Sequence, residues 1–302
     1  MCLCAKCTVA RNRTVSLRTR GPCPSLHSNT MLIRRKSIEA QANTKAGPSR
    51  RRLEADSPRP RKPRFAPVTL SELDGVRYLH FGTEWVQGAM RIRKPDWIEL
   101  EYAQQMMAWM LFNQAPRHIV QLGLGTGALT KFSYRQFEQA QVTAVELNAA
   151  VIDICHSMFK LPPADDRLML IESDALDFVM HAADHGIIDA LQVDLYDATA
   201  RGPVLDTPEF YRACHASLAP GGVMTVNLFG DHPSYAKNLR AMEFAFDTVI
   251  SLPEVHDGNV VAIAFKERQQ FDFPTLYARA ALIEASTRLP AKSWVNGIKS
   301  AL

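Results

Sequence analysis

From His118 onward, short apolar runs alternate with longer amphipathic segments, and this rhythm predicts an alternation of strands and helices. Ile119–Leu122, Val142–Val145, Leu168–Ile171, Ala190–Val193 and Gly222–Leu228 read as buried strands. Between them, segments ending near Phe137 and running over Ala149–Phe159, Ala175–Ala183 and Phe210–Leu218 read as helices. A helix over Tyr235–Phe246 and two closing strands, Val249–Leu252 and Val260–Phe265, complete the pattern. Strands alternating with helices imply a parallel sheet covered on both faces. Upstream, Val76–Phe81 and Trp85–Arg91 read as two short strands around a Gly82 turn. A helix is predicted over Trp97–Phe112, with Leu100, Met106, Met107, Met110 and Leu111 largely on one side as core filler.

Before residue 65 the apolar rhythm is missing. Residues 1–65 carry sixteen Lys and Arg against three Asp and Glu, and runs such as Pro58–Pro63 cannot build a core. Three readings stay open: a solvated linker or a start assigned too early, with Met31 or a later residue as the true start; nucleic-acid contact; and a transit peptide. The expected division is a disordered basic tail at 1–65, a small β-rich region plus helix at 66–114, and a nucleotide-binding domain at 115–302. The net charge of +4 therefore hides an acidic body, which keeps 19 of the 35 basic and 28 of the 31 acidic residues. An acidic body attracts cationic substrates.

Six cysteines at 2, 4, 7, 23, 155 and 214 make no disulfide framework, and the two in the body suit a reducing compartment. Cys2, Cys4 and Cys7 crowd together but lack a second ligand pair at a usual spacing, so no metal is expected. No apolar run reaches the roughly 18 residues of a membrane helix, and a cytoplasmic location is expected.

In an open parallel sheet, ligands bind beyond the carboxyl ends of the strands. The residues just after each strand are therefore the informative ones. Gly123, Gly125 and Gly127 follow the first strand and allow close backbone approach to a ligand. Glu146 ends the second strand, about 20 residues on, where an acid can accept both ribose hydroxyls; as a plain structural residue it would serve a helix start beside Asn148. Asp174 follows the third strand, placed either to hold an adenine amino group or to cap the next helix. Asp194 and Asp197 follow the fourth. They are either turn residues or a pair of carboxylates for an amine substrate, which a carboxylate binds as a cation and then deprotonates.

Together these residues resemble the spermidine synthase family, the polyamine aminopropyltransferases, over roughly Val76–Phe265. Gly202-Pro203-Val204-Leu205 before Phe210-Tyr211 belongs to the same resemblance. It implies an α/β fold: a Rossmann-like, class I methyltransferase-type sheet behind a small N-terminal β-hairpin domain. It also implies transfer of an aminopropyl group from decarboxylated S-adenosylmethionine, as co-substrate, to putrescine or a related amine. By resemblance Glu146 binds ribose, Asp174 adenine, Asp194 acts as acid/base and Asp197 holds the amine, with Gln87 and Tyr102 facing the substrate. The expected partner is the small amine; membrane and nucleic acid are not expected, and a homodimer is compatible. Three positions depart from the family pattern. Thr126 stands where an Asp grips the aminopropyl amine, Ala103 where His is common, and Val255–Gly258 where a Tyr-Pro pair lines the diamine pocket. The competing readings are an S-adenosylmethionine methyltransferase and a non-catalytic nucleotide-binding homologue.

Overall fold

The computed structural model describes residues 65–183, 185–198, 202–255 and 258–302. The tail, except Phe65, and with it Cys2, Cys4 and Cys7, lies outside the described residues, as do His256 and Asp257.

Among the described residues the chain forms two sheets. In the small one, β1 (Val68–Leu73), β2 (Val76–Phe81) and β3 (Gly88–Arg91) pair antiparallel in that order. The sequence predicted only two strands here. β1 escapes a hydrophobic reading because it is an edge strand with mostly exposed side chains. The link between β2 and β3 is also longer than a Gly82 turn: Trp85 to Gln87 lie outside β3.

The segment expected as one helix over Trp97–Phe112 is instead α1 (Glu101–Gln105) running into a 3₁₀ segment, Met106–Leu111. All six residues of that segment are buried, so it has no solvent face. It forms core with Trp294, Ile298, Leu276 and Ala280 of the two C-terminal helices. Each large apolar side chain buried this way contributes about 1.5–3 kcal/mol.

The large sheet comprises β4 (His118–Leu122), β5 (Gln141–Glu146), β6 (Leu168–Glu172), β7 (Ile188–Val193), β8 (Leu218–Phe229), β9 (Val249–Ser251) and β10 (Asn259–Phe265). Its order is β6-β5-β4-β7-β8-β10-β9, with β4 to β8 parallel and β10 antiparallel to both neighbours. The connecting helices are α2 (Ala128–Gln136), α3 (Ala149–Met158), α4 (Ala175–Ala182), α5 (Pro208–Ser217) and α6 (Ser234–Ala245). These match the predicted alternation closely. Asn148, Asp174 and Thr207 cap α3, α4 and α5 by accepting backbone N–H groups, as short polar side chains do at helix starts. α7 (Phe273–Thr287) and α8 (Ala291–Ala301) were not anticipated. The spacing of buried Leu276, Ala280 and Ile283 does carry a helical period.

One core layer holds the 3₁₀ segment, α7 and α8, with Trp109 and Trp294 fully buried. Another layer packs Phe210, Tyr211 and Met242 from α5 and α6 against the sheet. A third cluster joins Leu79 and Met90 of the small sheet to Leu124, Val151 and Phe159. It clamps the small sheet onto the glycine loop. The strand order reverses between β4 and β7, so a crevice opens at their carboxyl ends.

Candidate active site

A cavity of about 1000 Å³ occupies that crevice. Its floor is made by residues at or just beyond the carboxyl ends of the parallel strands: Gly123 and Gly125, Glu146 to Asn148, Ser173 to Ala175, Asp194 to Ala198, and Asn227. The β2–β3 connection and α1 add Trp85, Gln87 and Tyr102 from the opposite side. Eight of the nine residues singled out from the sequence thus line one space. The ninth, Gly127, sits behind the loop as the N-terminal cap of α2 in a left-handed conformation, facing the Leu161 side chain.

The other two loop glycines are also left-handed, and their neighbours explain why. At Gly125 an added Cβ would approach the Gln87 carbonyl oxygen to 3.0 Å, and at Gly123 it would meet the backbone of Asp194. The loop therefore threads between the small sheet and the end of β7.

Glu146 performs the structural role foreseen for it. Its two carboxylate oxygens accept the backbone N–H groups of Leu124 and Asn148, both at 2.9 Å. Burial still pushes its pKa above the ordinary range, against the pull of those donors. Each oxygen keeps a lone pair for a further donor. Asp174 likewise uses Oδ1 to cap α4 through Leu176 N at 2.8 Å while bordering the cavity.

Asp194 follows β7 directly. Its Oδ1 accepts Nδ2 of Asn227 at 2.9 Å, and its Oδ2 faces the Tyr102 hydroxyl at 3.4 Å. Burial lifts its pKa to about 6, partly offset by those two donors. The Tyr102 hydroxyl is held well above its usual range, mainly by burial and then by the Asp194 charge, so it stays a donor at neutral pH. Gln87 donates to the main-chain carbonyl of Asp197 at 3.2 Å, and Thr83 to that of Ala198 at 3.0 Å. Two hydrogen bonds thus tie the β2–β3 connection to the loop after β7.

Sequence reasoning missed Asn227 and Asn259. Asn227 is the one amide in the apolar run Val223–Phe229, a signal that was readable. Three further acids were missed as well. Glu84, Glu99 and Glu101 line the cavity with the four acids already named, while no Lys, Arg or His does so among the described residues. Arg91 pairs with Glu99 from outside. A cavity lined by so many acids favours a cationic ligand.

Residues 99–247 match the model of the spermine/spermidine synthase domain. A polyamine aminopropyltransferase of Chromobacterium violaceum is 32% identical over 254 residues, covering 83% of this chain and 95% of that protein. The chain belongs to the spermine/spermidine synthase family. Solved structures agree at the level of fold. A probable spermidine synthase from Corynebacterium glutamicum superposes with a TM-score of 0.60 at 19% identity, covering 76% of this chain and 91% of that one. Human methyltransferase-like protein 13, solved with SAH, gives 0.57 at 22% identity, covering 63% of this chain and 93% of that one.

Against the family pattern, Thr126 is buried and does not line the large cavity. Its hydroxyl donates to the Ala89 carbonyl at 3.3 Å, and it packs so tightly on Gly88 that a Cβ there would lie 2.8 Å from its methyl group. Here the residue that replaces Asp seals the loop to β3. Ala103 is buried. Of the segment that replaces the Tyr-Pro pair, Gly258 packs on the Phe229 ring, leaving 2.7 Å for an added Cβ. Among the described residues no group of three or more His, Cys, Asp or Glu is placed to hold a metal ion. No helix among them is long and apolar enough to cross a membrane.

Proposed function

We propose that this chain is a polyamine aminopropyltransferase that moves the aminopropyl group of decarboxylated S-adenosylmethionine onto putrescine or a related amine. Methylthioadenosine is the second product. The observation that carries this reading is the acidic cavity at the switch point, with the half-buried Asp194 carboxylate among its acids and no basic side chain among its described lining.

The nucleoside half of the donor lies over the glycine loop, where Gly123 and Gly125 admit close approach. Glu146 takes the ribose hydroxyls and Asp174 the adenine amino group. The acceptor amine enters as an ammonium ion; its free pKa is near that of Lys, about 10.4. Asp197, with Gln87 and Tyr102, holds and orients it. Asp194 accepts one proton from the attacking nitrogen. The nitrogen lone pair then forms a bond to the propyl carbon, and the carbon–sulfur pair returns to sulfur, cancelling the sulfonium charge. Desolvation in the cavity frees the lone pair, and orientation supplies much of the acceleration. In this reading the enzyme is cytoplasmic and needs no metal, and a homodimer is compatible with it.

The methyltransferase reading uses the same sheet, and fold alone does not separate the two. Mass-spectrometric product analysis does. Purified protein is given decarboxylated or intact S-adenosylmethionine with a panel of amines. Methylthioadenosine and an aminopropylated amine from the decarboxylated donor are expected. Methylation of an acceptor by the intact donor, with no methylthioadenosine from the other, would overturn the proposal.

A further inference from the structure

We propose that Asn259 is a positioning residue for the transfer reaction: acting through Asn227, it fixes the Asp194 carboxylate and holds it ionised. This rests on the reading of Asp194 as the proton acceptor.

The argument begins with strand register. β10 runs antiparallel to β8, with Asn259 opposite Phe229 and Val261 opposite Asn227. Asn259 and Asn227 are thus diagonal neighbours on one face of the sheet, within side-chain reach. Asn259 Nδ2 donates to Asn227 Oδ1 at 3.0 Å, and Asn227 Nδ2 donates to Asp194 Oδ1 at 2.9 Å. Asn259 Nδ2 also lies 3.5 Å from the Tyr196 hydroxyl.

An ionised carboxylate only accepts hydrogen bonds, so Asn227 must turn its amide nitrogen to Asp194. Its amide oxygen then faces away and requires a donor, because Asn227 is only 1% exposed. Asn259 is that donor. Its bond also polarises the Asn227 amide and strengthens the next link. Without it, Asn227 is free to rotate and present oxygen to Asp194, which favours the protonated acid.

The other groups around Asp194 make such a donor chain necessary. Tyr102 and Glu101 come from α1, Tyr196 and Asp197 from its own loop, and Glu146 from β5 across the cavity. Desolvation is what disfavours the Asp194 charge, and β8 and β10 set the two neutral amides against it. Burial lifts Asp194 to about 6 while the Asn227 and Tyr102 bonds hold it down, which fits a carboxylate kept ionised by its donors.

The test is the carboxyl ¹³C titration of Asp194 in the ligand-free full chain, assigned by the signal lost in Asp194→Asn. In Asn259→Leu the midpoint should rise by about one pH unit, the scale expected for weakening one hydrogen bond to a charged group. Asn259→Gln, which keeps a donor, should recover at least half of that rise. The acid limb of kcat/KM for the amine should move in parallel, a change that a merely structural role would not produce. An unmoved midpoint in folded Asn259→Leu overturns the inference. If the leucine variant does not fold, Asn259→Ala, which opens space rather than adding apolar bulk, is read the same way. The titration needs no substrate. If the wild type transfers no aminopropyl group, the functional reading fails, and the titration still decides the role of Asn259.

Discussion

A methyl group added to Gly123 would stand 2.2 Å from the main-chain carbonyl oxygen of Asp194. The glycine loop and the loop bearing Asp194 are therefore in backbone contact. Gly123 also has a φ of +84°, which side-chain-bearing residues rarely adopt. Gly123→Ala should cost more than about 3 kcal/mol, from strain plus the clash. Thermal unfolding reads this directly, and a melt equal to wild type would show that the contact is not enforced.

Asp194→Asn keeps the shape and removes the charge. Turnover should fall by roughly 10²–10⁴-fold, the usual worth of a general base, with methylthioadenosine affinity little changed. Asp197→Asn should mainly raise the amine KM, because it removes binding shared by ground and transition states. Steady-state kinetics separate the two. Equal effects on both parameters in both variants would count against the assigned roles.

Activity should fade on the acid side around pH 6, where Asp194 takes up a proton, and not near pH 4 where an exposed Asp would. The check is kcat/KM against pH at saturating donor. A limb near pH 4 would mean that a different group is being titrated.

The same group makes a stability prediction with a fixed sign. The folded pKa, about 6, is above the ordinary Asp value of 3.8, so the folded state holds the proton more tightly. The stability this confers is complete below roughly pH 4 and is lost as pH rises through about 6. Asp194→Asn escapes that loss. At pH 8 it should be more stable than wild type by about 1–2 kcal/mol, or roughly 3–6 °C, discounted because Asp194 borders the open cavity. The difference should shrink towards pH 4, and calorimetry at both pH values tests it.

Glu146 serves two backbone N–H groups as well as the proposed ribose. Glu146→Ala should weaken methylthioadenosine binding by about 1.5–3 kcal/mol and also lower stability, because the Leu124 and Asn148 donors lose their acceptor. Isothermal titration with unchanged affinity would remove Glu146 from the nucleotide site and leave it as a loop brace.

Most of this was legible because the sheet is parallel and buried. β7 is buried at all six positions; Asp189 and Gln192 interrupt its apolar residues, yet Ala190, Leu191 and Val193 still mark a strand, and Asp194 stands at its end. β1 was passed over because its alternation is short: Val68 and Leu70 turn inward between exposed Thr69 and Ser71, and the rest of this edge strand is exposed. The 3₁₀ segment defeated a periodicity argument because every one of its faces is covered. Asn259 was invisible for another reason: its importance depends on antiparallel register with β8, and one-dimensional pattern holds no register.

Lys131 illustrates what the buried connector means for dissecting the molecule. Its ammonium, 1% exposed with its pKa drawn down to about 8 by burial, donates to the Pro95 carbonyl at 2.8 Å and to that of Phe159 at 2.7 Å. A fragment cut at residue 114 would strip away the first acceptor and leave that charge with the Phe159 carbonyl alone. It would also empty the slot filled by Met106–Leu111 between sheet and terminal helices. Recombinant expression of residues 115–302 alone should yield an aggregating chain rather than a working nucleotide-binding module. The small sheet and its connector are packed into the larger part as an intramolecular subunit, filling core that the larger part cannot fill with its own residues.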